Sequence, residues 1–481
     1  MVSFRIFPLL KNSLFNRVRI LGVGLLLVLF LAGCAVPEPP DANEALREAL
    51  PETTEVRERF AEDPGPDVGA LPDNWVESFE DPELEELVEE ALQNNLNLQA
   101  AGFQVEAAAA SVTRSGAGLK PVVSAAAEGS QQNFEGGITQ ESSRYGLNVS
   151  WELDLWGKLR AQEAASVAEY EATLADYEFA RLSLKGQVAK AWFMAVEASQ
   201  QLEYAKEVVE LFRNTLEIVK TKEEFGEVGM GDVHLAQADL AGAQERLRQV
   251  EGSFRSAQRG LEILLGRYPS AELEVRNGFT TVPPPVPPGL PSELLERRPD
   301  LISAQQRVAA AFNLTSTAKA ARLPTVGLTA GVGGTDGGLN EILGLGNSFW
   351  NVGANFLGPI YRGGQLQAEV DIATAEQEAA LRSYGQEALV AFGEVESALN
   401  NEILLEQREE LLEAIVRENR SAVELAEVQY DAGAIDLLSV LQLRGRLIDS
   451  EIALIHIRNL RLAERVNLHL ALGGDFEETN S

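Results

Sequence analysis

The residues of this chain that could do chemistry are few and far apart. His234, His456 and His469 are the only histidines, and no two have the four-residue helical spacing that lets a pair of imidazoles share a metal ion. Gly363-Gly364 and Gly473-Gly474 sit in no phosphate-loop pattern and read as turn or helix-end glycines. The one side chain placed for covalent chemistry is Cys34, the single cysteine, which follows Leu31-Ala32-Gly33 at the end of the apolar run Ile20 to Ala32. Leu-Ala-Gly-Cys has the form of a lipobox, in which the thiol is acylated and the leader is cut just before it. No catalytic cluster emerges, so an enzymatic reading gains no support and no cofactor is expected beyond a lipid on Cys34.

The surrounding sequence fits that placement. Arg5, Lys11, Arg17 and Arg19 precede the apolar run, which is shorter than the roughly 20 residues a membrane helix needs, so residues 1–33 read as a lipoprotein signal peptide. Each buried methylene of an acyl chain contributes about 0.8 kcal/mol, so a multiply acylated cysteine would hold the chain to a membrane. Residues 34–74 are rich in Pro and acid and are expected to be mostly irregular. The chain has 481 residues, 45% of them hydrophobic, and a formal charge of −33, a balance that repels nucleic acid and anionic lipid surfaces.

The mature sequence is one unit written twice. Asn95 to Ala101 aligns with Arg298 to Ala304, Leu119-Lys120-Pro121 with Arg322-Leu323-Pro324, Gly226 with Gly433, Val233 with Val440, Leu240 with Leu447, and Leu265-Gly266 with Leu472-Gly473. The repeats are 75–281 and 292–474, separated by a stiff Pro-rich linker at 282–291 and followed by a tail at 475–481.

Within each repeat the hydrophobic period changes. After a helical stretch, Glu83 to about Ser115 in the first copy, the period becomes two. Tyr145, Leu147, Val149, Trp151 and Leu153 alternate with polar or small residues; so do Val326, Leu328, Ala330 and Val332, and then Trp350, Val352, Ala354 and Phe356, while Val123 to Glu128 is weaker but compatible. β-Hairpins are expected at about 121–155 and 324–360, with Gly129 to Arg144 and Gly334 to Ser348 as exposed loops. Long helical hairpins are expected at 158–266 and 365–472; a helix from Lys158 to Phe225 would run about 100 Å at 1.5 Å per residue. Val167, Tyr170, Leu174, Tyr177, Leu184, Val188, Ala191 and Ala195 form a coiled-coil-like seam on the first, and Leu381, Tyr384, Ala388, Ala391, Val395 and Ala398 one on the second.

Four two-faced strands of about ten residues match the length of a tilted membrane strand. Alone in lipid they would leave two open edges, at a cost of several kcal/mol per unpaired backbone group. Membrane barrels need about eight strands or more, so strands from several chains must combine, and the pattern alone permits two, three or four copies.

Several motifs occur in a characteristic order: the lipobox, Trp75 with Phe79-Glu80-Asp81-Pro82-Glu83-Leu84, Ser150 to Arg160, Arg297-Arg298-Pro299-Asp300, Gly358 to Gly364, and Leu470 to Gly474. In these the chain resembles the TolC-like outer membrane efflux family, its lipoprotein branch in particular, over nearly the whole mature sequence. The resemblance implies a mainly α chain with some β: a homotrimer with a twelve-stranded transmembrane barrel, continued by a long α-helical barrel across the periplasm. It also implies a tip that opens when a periplasmic adaptor and an inner-membrane pump of the resistance-nodulation-division type dock. Small molecules would pass through without being changed.

In that family the tip forms at the two helix breaks, which makes Gly226, Asp232, Tyr430, Asp431, Gly433, Asp436, Ser439 and Gln442 the gate candidates. Relatives carry a pair of aspartates where Ser439 and Gln442 stand here, so an aspartate ring is not carried over to those two positions. Asp232 reads either as a helix cap or as a cap that also joins a ring of carboxylates favouring cations. Tyr430 could latch neighbouring hairpins through its hydroxyl or be an ordinary packed tyrosine. Two other readings remain open at this stage: a type I secretion channel for proteins, and a coiled-coil lipoprotein that only spans the envelope.

Overall fold

The computed structural model describes residues 38–474 apart from 52, 62–73, 287–288, 290 and 337–347. Residues 1–33, expected to be a signal peptide, and Cys34 therefore lie outside the described residues, as do the tail at 475–481 and most of the loop expected from Gly334 to Ser348. In order, the elements are α1 (Ala42–Ala49), a 3-10 turn (Glu77–Phe79), α2 (Pro82–Asn94), α3 (Leu96–Ala117), β1 (Val122–Phe134) and β2 (Ile138–Leu153). Then come α4 (Lys158–Glu224), α5 (Met230–Leu264), α6 (Pro291–Arg297), α7 (Pro299–Ala320), β3 (Thr325–Asp336), β4 (Ser348–Leu357), α8 (Gln365–Asp431) and α9 (Leu437–Ala471).

The duplication governs element lengths. α3 and α7 have 22 residues each, α4 and α8 have 67, and α5 and α9 have 35. The breaks are duplicated too. Gly226 (φ +75°) and Gly433 (φ +71°) end α4 and α8 in the left-handed region, where a Cβ is strained. The same pair of backbone bonds closes each end: Gly226 N to Glu223 O and Glu227 N to Lys222 O, then Gly433 N to Tyr430 O and Ala434 N to Gln429 O.

Local chemistry sets the other boundaries. Asp81 accepts from the Leu84 amide ahead of Pro82, and Glu83 and Glu85 occupy the first turn of α2, so the start of this helix is both capped and charge-matched. The helix expected from Glu83 to Ser115 is interrupted at Asn95, whose Oδ1 accepts from the Asn97 and Leu98 amides while its Nδ2 donates to Leu264 O at 2.9 Å. A side chain that caps a new helix and ties it to α5 outweighs good helix propensity on both sides.

The chain forms two compact units. The first comprises Met1–Ala49, Val105–Thr173 and Ala304–Tyr384 and contains the four-stranded antiparallel sheet, in the order β1-β2-β3-β4. The β1–β2 hairpin is longer than expected: pairing continues to Phe134↔Ile138, and only Glu135 to Gly137 turn, so most of Gly129 to Arg144 is strand rather than loop. Polar cross-strand contacts hold it there, Ser130 with Ser142 at 2.8 Å and Thr139 donating to Asn133 at 2.9 Å, and these leave no apolar row to read. Within the acidic segment before Trp75, the described residues Ala42–Ala49 form a helix that is tied to α8. Asp41 caps α1, the Tyr384 hydroxyl donates to Ala42 O at 3.1 Å, and Arg382 donates to Ala49 O at 2.8 Å.

On α4 the seam differs from its expected form in this unit. Val167 and Tyr170 are half-buried, and Leu174, where the second unit begins, is exposed; the buried face is Ala161, Ala165, Ala168 and Ala172, with Ala168 against Ala309 and Ala310 of α7. Methyl groups let backbones approach closely, and a rule that weighs large side chains passes over them. On α8 the expected seam positions are all buried.

The second unit comprises Leu50–Gln104, Leu174–Ser303 and Gly385–Ser481. Its main core packs Trp75, Phe79, Leu84 and Val88 against Trp192, Phe193 and Val196 of α4, with Leu261 of α5 and Leu462 and Val466 of α9. A smaller core near the helix breaks joins Phe212, Leu216 and Val219 of α4 to Val233 and Ala236 of α5 and to Leu437 and Leu441 of α9. No described helix is long and apolar enough to cross a membrane.

Candidate functional site

Two features carry functional geometry. The first is the sheet, whose register aligns the alternating rows across all four strands. Val123↔Val149↔Ala330↔Val352 and Ala125↔Leu147↔Val332↔Trp350 share one face, and Trp151↔Leu328↔Ala354 continues it. The other face carries Ser124↔Asn148↔Gly331↔Asn351, with Glu152↔Gly327↔Asn355 further along. Among the described residues nothing covers the apolar face: Val332, Trp350, Val352 and Phe356 are exposed by half or more. An exposed apolar area of this size marks a surface meant for lipid or another chain. Among the described residues β1 and β4 have no strand on their outer sides, leaving both edges open.

The second feature is the pair of helix breaks, where the structure gathers some of the gate candidates and separates others. Lys222, in the last turn of α4, lies 4.1 Å from the centre of the Tyr430 ring and 3.3 Å from an Asp431 carboxylate oxygen. One ammonium thus contacts an aromatic face and a carboxylate at the end of the other long helix, joining the two repeats by a cation–π and an ionic contact. The Tyr430 hydroxyl is buried with no hydrogen-bond partner among the described residues. Burial raises its pKa, and Asp232, Asp431 and Glu227 add to the rise against the opposing pull of Lys222. Asp232 thus acts on Tyr430 through its charge. It is not the cap of α5: Gly229 holds that position, and Asp232 lies in the first turn, where a negative charge suits the helix dipole.

Asp436, Ser439 and Gln442 do something different. Asp436 caps α9, accepting from the Ser439 amide at 2.9 Å and from its hydroxyl at 2.6 Å, and these bonds hold its carboxyl below the usual range. Ser439 is engaged in that cap, and Gln442 is exposed. Gly226 and Gly433 are exposed turn glycines with open space around the Cβ position.

Lys222 was not among the residues singled out from sequence. The available signal was a cation in the last turn of a helix whose counterpart in the other repeat ends in Tyr430-Asp431. A second link lies one to two turns away, where Arg444 of α9 donates to Glu427 of α8 at 2.6 Å and to the Thr215 hydroxyl of α4 at 2.7 Å.

Further from the breaks, α8 and α9 are zipped by charge. Arg458 meets Glu409 and Glu413, Arg461 meets Glu406 and Glu409, and Arg465 meets Glu402 while donating to the Pro283 and Pro284 carbonyls of the linker. Glu409 is partly desolvated, which opposes ionisation, but the two guanidinium groups outweigh this and its pKa is lowered. Of the histidines, His456 contacts Glu197 at 2.9 Å, His234 is exposed and His469 is buried. Among the described residues no group of His, Cys, Asp and Glu could hold a metal ion.

The arrangement has known counterparts. The pyoverdine export outer membrane protein OpmQ of Pseudomonas putida is 30% identical over 466 residues, covering 94% of this chain and 96% of its own. The cation efflux system protein CusC of Escherichia coli is 28% identical over 416 residues, covering 84% and 88%. The crystal structure of the Campylobacter jejuni CmeC outer membrane channel superposes with a TM-score of 0.84 at 26% identity, covering 93% of this chain and 96% of that one. Residues 87–267 and 290–474, one stretch in each repeat, match the family model for outer membrane efflux proteins, and the chain belongs to that family.

Proposed function

We propose that this chain is one protomer of a homotrimeric exit duct, a passive channel that carries small molecules out through the outer membrane and does no chemistry on them. Three four-stranded sheets would close a twelve-stranded barrel, and the helical hairpins would continue it into the periplasm. There a periplasmic adaptor and an inner-membrane pump, of the resistance-nodulation-division type, would deliver the cargo. Cys34 would carry the lipid that fixes the N-terminus to the membrane. One observation carries this reading: a sheet with an uncovered apolar face and two open edges. Unpaired edges in hydrocarbon would cost tens of kcal/mol in total, roughly several per backbone group, and pairing β4 of one copy with β1 of the next removes that cost.

The helix breaks would form the gate. With the Lys222 contacts made, α4 and α8 are held together at their ends; releasing them frees the two hairpins to part. Asp232, in the first turn of α5, would add a carboxylate from each copy around the axis and favour cations there.

The test is reconstitution of the purified full chain. A trimeric mass in detergent and stepwise conductance in planar bilayers are expected. Lys222→Ala should raise the closed-state conductance about threefold or more, since a contact of about 1–2 kcal/mol is lost from every copy; Lys222→Arg should stay near wild type. Asp232→Ala should reduce cation preference. A water-soluble monomer without conductance would remove the duct, while an unchanged closed state in Lys222→Ala would remove only the latch.

A further inference from the structure

Between α4, α8 and the end of α9 lies a groove of about 660 Å³ that neither the sheet nor the latch uses. Its size is within the range of small-molecule sites, roughly 300–1,000 Å³. The floor is apolar, made by Phe179 and Leu182 of α4, Val390 of α8 and Leu470 of α9. Three carboxylates border it, Asp300, Glu394 and Glu464, and Arg298 is the one base among the lining residues.

The Arg298 side chain is only 6% exposed. Its guanidinium is engaged by Asp300 and Glu394, each at 2.7 Å, and by Ala471 O at 3.1 Å, so its charge is turned into the protein. Glu464 is held by two neutral amides, Asn401 at 3.1 Å and Asn467 at 3.0 Å. Lys190 reaches Asn467 Oδ1 at 3.1 Å, and even with it counted the acids outnumber the bases. A greasy floor with acidic sides and an inward-turned arginine attracts positive charge attached to an apolar body and repels the corresponding anion.

The groove is also open. A Cβ at Gly393, on its α8 side, would meet nothing within 4 Å. Ser183 lies nine residues before Trp192, on the opposite side of α4 at roughly 100° per residue, while Leu470 on the groove floor also packs against the core around Trp75 and Phe79.

We propose that this groove is a wall subsite for amphiphilic organic cations, which rest their apolar part on Phe179, Leu182, Val390 and Leu470 and their charge against Glu464 and Glu394. The role in transport rests on the duct reading above; the binding itself does not. Such a subsite has to be weak, because a conduit must release what it takes up.

The test uses two probes of matched shape and opposite charge, tetraphenylphosphonium and tetraphenylborate, dialysed against the detergent-solubilised full chain. Wild type, Gly393→Leu and Glu464→Gln are compared in the same detergent, so that partition into micelles cancels in the differences. Gly393→Leu fills the groove from a position with free space and replaces a poor helix former with a good one, so its fold should be kept. The cation should bind wild type about tenfold more tightly than the anion, a difference of about 1.4 kcal/mol. Both substitutions should weaken it about fivefold or more. Equal cation uptake by wild type and Gly393→Leu, or anion binding as tight as cation binding, overturns the proposal. So does absence of binding to the trimer, the result expected if a neighbouring copy covers the groove. Bilayer conductance of the same preparations separates the two readings. Conducting protein without probe discrimination loses the subsite and keeps the duct, and discriminating protein without conductance does the reverse.

Discussion

Gly333→Ala is expected to abolish assembly of the sheet. A Cβ at position 333 would overlap the Tyr145 carbonyl oxygen and stand 2.9 Å from Gly146 Cα, and both obstacles are backbone of the paired strand. Gly146 is confined in return, because a Cβ there would stand 2.8 Å from Val332 O. Neither strand can yield without breaking the β2–β3 ladder, the junction that joins the hairpins of the two repeats. The cost should be several kcal/mol per copy, about what overpacking a rigid backbone contact costs or more, and it would be paid three times in a trimer. Measured as the trimer fraction on unboiled gels and as conducting events per unit of protein, Gly333→Ala should fall near zero. Gly353→Ala is the control, because its Cβ would meet only the Thr329 hydroxyl, at 3.0 Å, and that side chain can rotate. A Gly333→Ala protein that assembles like wild type would show that β2 and β3 do not lie as closely as described.

The second large effect should appear on acidification. His469 is 1% exposed, its ring stacks on Trp75 at 5.4 Å, and neither ring nitrogen has a hydrogen-bond partner among the described residues. Burial, with Arg465 adding repulsion, pushes its pKa down to about 3 from 6.5. The unfolded chain therefore binds a proton that the folded chain refuses throughout that interval. Stability is fully present above pH 6.5 and is lost as the pH falls from 6.5 towards 3, by up to about 5 kcal/mol if the whole shift is expressed. Unfolding in denaturant, followed by tryptophan fluorescence across this range, should show the decline. His469→Phe keeps an aromatic ring against Trp75 and Phe79 and should flatten the curve. Parallel curves for the two proteins would mean that His469 is not sealed from water.

The elements that carry large, regularly spaced side chains were legible in the sequence. The rows through Leu147, Val332 and Trp350 could be aligned before any register was known, because a strand with one lipid-facing side must alternate. The long helices could be bounded at Gly226 and Gly433 because only glycine takes that turn easily. What escaped depends on contacts between distant segments. The alanine face of α4 carries no hydrophobic emphasis, and the polar part of the β1–β2 hairpin is held by hydroxyls that leave no periodic trace. Lys222 acquires its meaning only when Tyr430 and Asp431 stand beside it. Asp232 was one turn out of place as a cap because Gly229, with no side chain to signal it, begins the helix.

The matched lengths of the paired helices limit how such a chain can change. Because α4 equals α8 and α5 equals α9, residue for residue, Lys222 and Asp431 arrive at the same height and can touch. An insertion of one heptad in a single hairpin would carry its end about 10 Å past its twin and leave the rim uneven. Viable length variants of this protein should therefore come in compensating pairs, with a gain or loss in one half mirrored in the other.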